Sequence, residues 1–543
     1  MDTSKQNRTE FGDFQTPIEL ARNVCSAISR TGFRPASVIE PTCGIGAFVR
    51  AALEAFPHSL RFLGFDLNST YIDKARTATA EFSTHTSVEI DERDFFQTDW
   101  NRIVKDLPQP VLILGNPPWV TNAALGVLGS NNLPTKANID NLRGIEALTG
   151  SSNFDISEWM LRENLQWLQG RKGMLAVLCK TSVARKVLAF AWENAVSVAQ
   201  AAIYRLDAKR YFGASVDACL LLIHMDQSEK ITECADYVSL HDQKPASVFG
   251  WRNGKLVADV VLYEQWRSLT APGLSGWRSG IKHDCSKVFE LRREGRHFVN
   301  ESGESIELEE DVVFPLLKSS DLATSRQPRL WMLVPQRTMN QPPPHLEKDA
   351  PKAWKYLTAN STFLDRRAST IYKKRAPFSI FGVGPYSFAP WKVAISGLYK
   401  KLEFARVAPF NDRPVVLDDT CYFFPCHSEE ECNILYELVQ SLPAREYWSA
   451  LVFWDAKRPI TARLLNSLDL AALARELGKE SKVTRTLAER QFVEYAEESH
   501  QQLLFREDTA MYESTSATNR RKAQTAQLSS WAAFRNLDTT TGE

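Results

Sequence analysis

Short, continuous apolar runs alternate with helix-like stretches over residues 38–225, and this pattern restricts the fold more than any other feature of the chain. The runs, each with the residues that follow it, are Val38-Ile39 before Glu40-Pro41, Phe62-Leu63-Gly64-Phe65 before Asp66, Val111-Leu112-Ile113-Leu114 before Gly115-Asn116, and Met174-Leu175-Ala176-Val177-Leu178 before Cys179-Lys180. Apolar strands separated by helices are typical of a doubly wound α/β sheet that is buried on both faces. Because such sheets bind ligands where their strands end, the polar residues that follow these runs are candidate ligand-binding residues.

Charge and cysteine content exclude several classes of protein. The 65 basic and 65 acidic residues cancel, which excludes a uniformly basic coat for nucleic acid but not a local basic patch. The 9 cysteines include no Cys-x-x-Cys pair, which argues against a disulfide scaffold. The chain starts with polar residues and has no run of about 18 apolar residues, so we predict neither a signal peptide nor a membrane span. We expect a cytoplasmic protein that does not associate with membranes.

The sequence pattern changes near residue 250, where tryptophans, isolated glycines and short mixed strands replace the alternation of strands and helices. From about Leu464 the sequence becomes helix-like and strongly charged. We therefore predict three regions: an α/β domain over residues 1–245, a mixed α+β domain over residues 246–465 and a helical C-terminal region over residues 466–543.

The segment from Glu40 to Phe48 follows a predicted strand and precedes a predicted helix, and its glycines allow a tight turn close to a ligand. Asp66 ends the next strand, where a carboxylate can bind both hydroxyls of a ribose. The phosphate-binding pattern Gly-x-Gly-x-x-Gly is not completed, because Val49 stands at its last position. These residues favour a nucleoside without a pyrophosphate over a dinucleotide.

A helix is predicted to begin near Thr16. Thr16 can cap it, Pro17 suits the first helical position, and Glu19 completes a capping box. Apolar residues then follow at helical spacing. Taken alone, this segment is equally consistent with an ordinary helix packed on the surface of the sheet.

The segment Asn116-Pro117-Pro118-Trp119 lies just past a predicted strand. The two prolines stiffen the backbone and cannot donate hydrogen bonds, so their carbonyls and the Asn116 amide oxygen are available as acceptors. With the aromatic face of Trp119 beside them, they suit a planar amine such as the exocyclic amino group of a base. The alternative is a turn between strand and helix, with Trp119 in the core.

Together these segments resemble one enzyme family. The matching segments, in the family's order, are Thr16-Pro17, Glu40 to Phe48, Asp66, Asp94-Phe95, Asn116 to Trp119, and Tyr211-Phe212-Gly213 followed by Val216-Asp217-Ala218. They are similar to those of the S-adenosylmethionine-dependent DNA methyltransferases that modify amino groups, in the γ arrangement and of the adenine-N6 type found in restriction–modification systems. The resemblance extends to about residue 225 and implies a Rossmann-like methyltransferase sheet.

The resemblance also implies a role for each matching residue. The resemblance implies S-adenosyl-L-methionine as the cofactor, with its methionine part bound by Thr16 and Glu40 and its ribose by Asp66. Its adenine would be bound by Asp94 and Phe95. The loop around the cofactor would be formed by Cys43, Gly44 and Gly46. The catalytic segment would consist of Asn116, Pro117, Pro118 and Trp119. The first two would accept hydrogen bonds from the target amino group, and the rings of Trp119 and Phe212 would stack on the flipped base. No metal is implied, and Trp119 stands where the family usually has tyrosine.

A basic cluster in the second half of the chain predicts contact with DNA. Its members are Lys352, Lys355, Arg366, Arg367, Lys373, Lys374 and Arg375, interleaved with Trp354, Tyr356 and Tyr372. Among them, we expect the DNA backbone to be contacted by Arg366, Arg367, Lys373, Lys374 and Arg375. The alternative is a solvated charged face. Residues 277–285, 381–393 and 457–461 resemble segments of the target-recognition half of restriction–modification methyltransferases.

Four residues in this half raise the possibility of a zinc site: Cys421, Cys426, His427 and Cys432. Their spacing lacks the paired ligands that are typical of structural zinc. The segment Tyr422-Phe423-Phe424 indicates a buried strand instead, so we predict no metal.

The sequence as a whole therefore predicts a sequence-specific DNA adenine-N6 methyltransferase with a target-recognition domain over residues 246–465. The expected partners are double-stranded DNA, on which the protein would act as a monomer, and a separate cognate restriction endonuclease. Methylation of cytosine N4, of RNA or of a protein glutamine uses the same acceptor chemistry and remains an alternative. A DNA-binding module without catalytic activity is a further alternative.

Overall fold

The computed structural model describes residues 15–82, 86–119, 155–227, 229–270, 276–372, 375–456 and 458–481. The described residues up to Glu480 belong to one compact unit. Most of the predicted C-terminal helical region, residues 482–543, lies outside the described residues. In the part that is described, no helix has both the length and the apolar character needed to cross a membrane.

Among the described residues, ten strands form one sheet. They are β1 (Ser37–Glu40), β2 (Arg61–Asp66), β3 (Ser87–Glu92), β4 (Val111–Gly115), β5 (Gly173–Lys180), β6 (Val198–Leu206), β7 (Ala218–Met225), β8 (Glu233–Tyr237), β9 (Ser247–Arg252) and β10 (Lys255–Val257). The four predicted strands are confirmed as β1, β2, β4 and β5.

The strand order in this sheet is β10-β9-β8-β6-β7-β5-β4-β1-β2-β3. Strands β1 to β5 are all parallel, whereas β7 is antiparallel to both β5 and β6. The chain leaves β1 towards β2 and β3 on one side and returns to β4 and β5 on the other. A ligand-binding crevice is expected at this reversal, outside the carboxyl ends of β1 and β4.

Helices cover both faces of the sheet. They are α1 (Ile18–Arg30), α2 (Ala47–Ala55), α3 (Ser69–Thr79), α4 (Trp100–Lys105), α5 (Ile156–Trp167), α6 (Thr181–Glu193) and α7 (Ala208–Phe212). On one face, side chains of α1, α2 and α3 pack in one apolar cluster with alternate strand residues. On the other face, side chains of α4, α5 and α6 pack in a second cluster. This two-sided burial explains the continuous apolar runs in the sequence.

Two smaller sheets lie in the second half of the described chain, with strand orders β11-β20-β17-β18 and β14-β13-β12-β16-β15-β19. Their strands are β11 (Arg278–Ser279), β12 (Glu290–Glu294), β13 (His297–Val299), β14 (Ser305–Ile306), β15 (Val313–Leu317), β16 (Leu330–Leu333), β17 (Trp391–Ser396), β18 (Phe404–Val407), β19 (Val416–Leu417) and β20 (Cys421–Cys426). Every residue of β20 is buried, which confirms the strand predicted around Phe423.

Short helices connect these strands. They are α8 (Val260–Trp266), α9 (Ser286–Phe289), α10 (Ser319–Ala323), α11 (Leu346–Asp349), α12 (Pro351–Ala359), α13 (Ser361–Asp365), α14 (Glu429–Gln440), α15 (Leu442–Ser449), α16 (Ala462–Leu465) and α17 (Leu470–Glu476). The predicted fold class is thereby confirmed: a doubly wound, Rossmann-like α/β sheet is followed by a mixed α+β region.

Contacts join the two halves of this unit. Arg185 on α6 donates to Asp455 at 2.7 Å and lies over the ring of Phe453, and its side chain is only 7% exposed. The main-chain N–H of Ala258 donates to the carbonyl of Ala450 at 2.7 Å. The sheet itself continues to Val257, beyond the boundary predicted between residues 245 and 246, and that boundary stays a prediction.

Candidate active site

Two glycines shape the loop between β1 and α2. Gly44 and Gly46 have φ angles of +50° and +83°, which glycine adopts without strain. A Cβ atom on Gly46 would lie 2.9 Å from the Cβ of Ala75, so α3 packs too closely for a side chain here. The N–H of Cys43 donates to the carbonyl of Phe65 at 2.7 Å, and that of Gly46 to Cys43 at 2.8 Å. The loop is therefore a tight turn bound to the end of β2.

Asp66 ends β2 directly beside this loop. Its Oδ2 accepts the N–H of Gly44 at 2.9 Å, and its Oδ1 accepts the N–H of Asn68 at 2.9 Å. The Asn68 side chain caps α3 by accepting the N–H groups of Thr70 and Tyr71. The Asp66 carboxylate thus has a fixed orientation at the carboxyl edge of the sheet, as a ribose-binding side chain requires.

Glu40 ends β1 and is 2% exposed. Its Oε2 accepts the N–H of Val49 at 3.1 Å. Burial is the main cause that raises the pKa of Glu40 well above its ordinary value; the charge of Asp66 adds to it, and the hydrogen bond from Val49 opposes it. A Cβ atom on Gly115 would lie 3.4 Å from the Cγ of Glu40, so the ends of β1 and β4 meet at this carboxyl. A buried carboxyl of this kind is suited to a positively charged amino group.

Thr16 is placed differently from the sequence prediction. Helix α1 begins at Ile18 after Pro17, and no side chain caps it, so the predicted capping box is wrong. The Thr16 hydroxyl instead accepts the side-chain N–H of Asn116 at 3.3 Å. This hydrogen bond joins the start of α1 to the end of β4, and it brings a predicted cofactor residue and a predicted catalytic residue together.

Asp94 and Phe95 follow β3. The Asp94 carboxylate accepts the N–H of Phe96 and the side-chain amide of Gln97, both at 2.8 Å. The Phe95 ring is buried with its centroid 5.4 Å from that of Trp100, and the Phe95 carbonyl accepts the indole N–H of Trp100 at 2.8 Å. Phe95 thus anchors this segment in the core and holds Asp94 beside the sheet edge.

Trp119 and Phe212, the two predicted base-stacking residues, are in contact. Their ring centroids lie 5.3 Å apart at an interplanar angle of 73°. The indole N–H of Trp119 donates to the carbonyl of Leu178 at 3.4 Å, and the side chain is buried. Phe212 ends α7 and is half-buried. The structure therefore brings together the aromatic pair, although the two residues are far apart in sequence.

Sequence reasoning placed Lys180 after a predicted strand but missed its position beside the catalytic segment. The ammonium group of Lys180 donates to the carbonyl of Trp119 at 3.3 Å and to the carboxylate of Asp155 at 2.6 Å. The signal that could have revealed it was its place at the end of β5, next to β4. Gln15 was also missed: its side-chain oxygen accepts the N–H of Ile45 in the glycine loop at 3.2 Å.

The predicted DNA-backbone residues do not form one uniform group. Arg366 and Arg375 are exposed, whereas Lys373 and Lys374 lie outside the described residues. Arg367 donates to the carbonyls of Leu364 and Ser379 at 2.9 Å and 2.7 Å, and it stacks 3.7 Å from the centre of the Tyr372 ring. Arg367 therefore contributes to the fold of this region, whereas Arg366 is exposed to solvent.

The described residues contain no group of three or more His, Cys, Asp or Glu side chains that could hold a metal ion. Cys421, Cys426 and Cys432, which raised the possibility of zinc, are buried thiols. The Cys421 thiol donates to Asp418 at 3.5 Å, and the Cys432 thiol donates to the carbonyl of Lys392 at 3.5 Å.

The chain is similar to known proteins in both sequence and structure. No family model matches the chain. The Type II methyltransferase M.CvrRI of Paramecium bursaria Chlorella virus XZ-6E is 29% identical over 118 residues, which are 22% of this chain and 27% of that protein. Among solved structures, the Type IIL restriction-modification enzyme MmeI in complex with DNA matches with a TM-score of 0.51 at 13% identity, over 91% of this chain and 75% of MmeI. The likeness to MmeI shows a shared fold.

The similarity to another protein extends over most of the chain. The Type II methyltransferase M.NspV of Nostoc sp. is 42% identical over 474 residues, which are 87% of this chain and 98% of that protein. Because nearly the whole of M.NspV is matched at this identity, the chain belongs to the family of Type II methyltransferases.

Proposed function

We propose that this chain is a sequence-specific DNA methyltransferase that transfers a methyl group from S-adenosyl-L-methionine to the N6 amino group of an adenine flipped out of the duplex. The observation that carries the proposal is the hydrogen bond of 3.3 Å between Thr16 and Asn116. It joins Thr16, one of the residues that we assign to the cofactor, to the acceptor segment after β4. Membership of the Type II methyltransferases supports methyl transfer, and the presence of DNA in the MmeI complex supports DNA as the substrate.

The residues around β1 and β2 fit S-adenosyl-L-methionine. The buried Glu40 carboxyl is suited to the ammonium group of the methionine part, and the fixed Asp66 carboxylate is suited to two adjacent ribose hydroxyls. The full set that we propose for cofactor binding is Thr16, Glu40, Cys43, Gly44, Gly46, Asp66, Asp94 and Phe95. When bound, this cofactor supplies a methyl group on a positively charged sulfur.

Asn116 and Pro117 would prepare the target nitrogen. The amide oxygen of Asn116 and the carbonyl of Pro117 would each accept a hydrogen bond from the amino group. Their pull would take the nitrogen lone pair out of conjugation with the ring and direct it at the methyl carbon. Pro117 and Pro118 keep this segment rigid, so catalysis would rest on positioning and electrostatics.

Trp119 and Phe212 would hold the flipped base. A base inside the duplex cannot present its amino group, and unstacking it costs a few kcal/mol that stacking on aromatic rings would partly return. Since the two rings are in edge-to-face contact, one of them must turn for a base to stack between them. The large face of Trp119, in place of the usual tyrosine, retains the ability to stack.

The second half of the chain would select the target. We propose that residues 246–465 form the target-recognition domain and that exposed arginines such as Arg366 and Arg375 contact the DNA backbone. A single recognition half supports action as a monomer on a short, non-palindromic site. We further propose that the modification protects DNA from a separate cognate endonuclease in a restriction–modification system.

The test is a transfer assay with the purified full chain, methyl-labelled S-adenosyl-L-methionine and unmethylated plasmid DNA, followed by digestion to nucleosides. We expect the label in N6-methyldeoxyadenosine, with the modified sites defining one short sequence. Label in N4-methyldeoxycytidine would overturn the choice of base. Transfer to RNA or protein but not to DNA would overturn the substrate class.

A further inference from the structure

We propose that Lys180 is a positioning residue of the methyl-transfer site. Its ammonium group, held by Asp155, binds the carbonyl of Trp119 and so sets the direction of the acceptor segment that begins at Asn116. The inference rests on the proposed function, because it assigns Lys180 a part in the same reaction.

The contacts of Lys180 are short and partly buried. Its Nζ lies 2.6 Å from Oδ2 of Asp155 and 3.3 Å from the carbonyl oxygen of Trp119. The two charged side chains are 21% and 8% exposed. The Asp155 carboxylate is itself fixed, because its Oδ1 accepts the main-chain N–H of Ser157 at 3.1 Å and the Ser157 hydroxyl at 2.6 Å at the start of α5. The lysine therefore has a rigid anion on one side and the catalytic segment on the other.

The acceptor segment needs such external support. Pro117 and Pro118 have no N–H group, so the fold cannot fix them through main-chain donation. Strand β5 supplies two hydrogen bonds at the next residue instead: the carbonyl of Leu178 accepts the Trp119 indole N–H at 3.4 Å, and Lys180 binds the Trp119 carbonyl. The Trp119 carbonyl lies two peptide units beyond the Pro117 carbonyl, and the ring of Pro118 fixes the φ angle between them, so holding Trp119 restricts the movement of the Pro117 carbonyl.

The direction of that carbonyl determines the reaction rate. A displacement of about 1 Å in a reacting geometry can cost on the order of 10²-fold in rate. Lys180 contacts neither Glu40 nor Asp66 in the described hydrogen bonds and ion pairs, so cofactor affinity is expected to depend little on it. The expected signature is a loss of kcat with little change in KM for the cofactor.

A second lysine on the same strand–helix unit provides a matched control. Lys186 on α6 pairs with the buried Glu158 on α5 at 2.8 Å, and its side chain is 13% exposed. In the described part of the chain, the ammonium group of Lys186 donates to this carboxylate and not to the acceptor segment. Lys186→Met therefore removes a comparable buried ion pair that does not contact the acceptor segment.

The experiment compares Lys180→Met, Lys180→Arg and Lys186→Met in the labelled-DNA assay, with thermal unfolding measured for each full-length variant. We expect Lys180→Met to lower kcat by about 10- to 100-fold with KM for the cofactor within about threefold of the wild type, and Lys180→Arg to restore most of the rate. Lys186→Met should lose thermal stability but retain kcat.

Two results would overturn the inference while leaving the proposed function intact. The first is an unchanged kcat in Lys180→Met. The second is a loss of kcat in both Lys180→Met and Lys186→Met that is in proportion to the loss of thermal stability in each variant. If the wild-type protein labels no DNA base, the proposed function fails and the inference fails with it. The wild-type reaction thus separates the two failures.

Discussion

Glu40 and Lys392 are buried ionisable side chains in the two halves of the molecule, and their surroundings differ. Glu40 ends a strand at the ligand-binding edge, where it accepts a main-chain N–H from Val49. Lys392 lies within β17, fully buried, where it donates to the carbonyl of Ala389 at 2.5 Å and lies 5.8 Å from the ring centre of Phe423. Burial raises the pKa of Glu40 well above its ordinary value and lowers the pKa of Lys392 to about 7.

The difference separates ionisable groups at the carboxyl edge of the large sheet from ionisable groups enclosed in the second half. In the second half, Lys318 donates to both oxygens of Glu290 at 2.8 Å and 2.9 Å, and His283 lies 3.3 Å from the same carboxylate. These groups satisfy one another. At the carboxyl edge of the large sheet, Glu40 and Asp66 instead accept main-chain N–H groups, among them those of Val49 and Gly44. We therefore expect substitutions of the groups at this edge to change activity and substitutions of these enclosed groups in the second half to change stability.

The largest effect is expected for Asn116→Ala. Removing one preorganised hydrogen-bonding group at a reacting centre lowers kcat by about 10²- to 10³-fold. The Asn116 side chain donates to the Thr16 hydroxyl at 3.3 Å, and a neutral hydrogen bond adds only about 1 kcal/mol to stability, so the melting temperature should stay close to that of the wild type. The measurement combines the labelled-DNA assay with thermal unfolding.

Asn360→Ala is the matched control for this variant. Asn360 lies between α12 and α13 in the second half, and its side chain donates to the carbonyl of Tyr356 at 3.0 Å. It should lower the melting temperature slightly and leave kcat unchanged. If instead Asn116→Ala lost stability and Asn360→Ala lost activity, the proposed division between the two regions would be wrong.

The catalytic edge could be predicted from the sequence because its signals are local. Apolar runs that end at Glu40, Asp66 and Asn116 define both the strands and the residues at their carboxyl ends, and the structure has these strands as predicted. Partners distant in sequence could not be predicted. The hydroxyl of Thr16 was assigned to its own helix and instead meets Asn116, because nothing local indicates which distant strand end a side chain will face.

The second half was less predictable for the same physical reason. Strand β15 pairs in parallel with β19, which lies about a hundred residues later, and such registers are set by tertiary packing and not by local periodicity.

The basic cluster shows that the sequence also could not predict the environment of single residues. Arg366 and Arg367 are adjacent and chemically identical, yet the first is exposed and the second binds main-chain carbonyls.

The second prediction concerns Glu40→Gln. Burial raises the pKa of Glu40, and a cationic amino group bound beside the carboxyl lowers that pKa, so binding of the cofactor should release protons in the pH range between the free and bound pKa values. Loss of a hydrogen bond to a charged group costs about 1.5–3 kcal/mol, which corresponds to a 10- to 100-fold weaker cofactor affinity.

Calorimetry in buffers of different ionisation enthalpy measures both quantities for Glu40→Gln. Glu19→Gln, at an exposed position on α1, should leave affinity and proton release unchanged. Proton release that persists in Glu40→Gln would assign it to another group and weaken the contrast with Lys392.

The third prediction concerns Lys392→Met and the pH dependence of stability. The pKa of Lys392 falls from 10.5 to about 7 in the folded protein. Between these pH values the unfolded chain binds more protons than the folded one, so this group makes wild-type stability rise with pH across that window. Lys392→Met lacks this penalty, so its stability relative to the wild type should be greatest below pH 7 and should fall as the pH rises towards 10.5.

Unfolding of the Lys392→Met variant and the wild type at a series of pH values tests this prediction. Activity at pH 7 should not change, since β17 is enclosed in the second half. Arg406→Met on the neighbouring strand β18 is the control, because that side chain is exposed. A Met variant that is less stable than the wild type at low pH would mean that the hydrogen bond to Ala389 outweighs the burial of the charge.

The smallest effect is expected from a pair of glycines that share a backbone conformation. Gly46 in the loop after β1 and Gly303 between β13 and β14 have φ angles of +83° and +81°, so Ala at either position costs about 1 kcal/mol of left-handed strain. A Cβ on Gly46 would also lie 2.9 Å from the Cβ of Ala75, whereas a Cβ on Gly303 would have no atom within 4 Å.

Gly46→Ala should therefore lower the free energy of unfolding by about 1 kcal/mol more than Gly303→Ala does, as measured by thermal unfolding. Gly46→Ala should also weaken cofactor binding, whereas Gly303→Ala should not. If both variants lost the same stability, the glycine loop would be able to move enough to accommodate the added methyl group. The close approach of α3 would then not explain why residue 46 is a glycine.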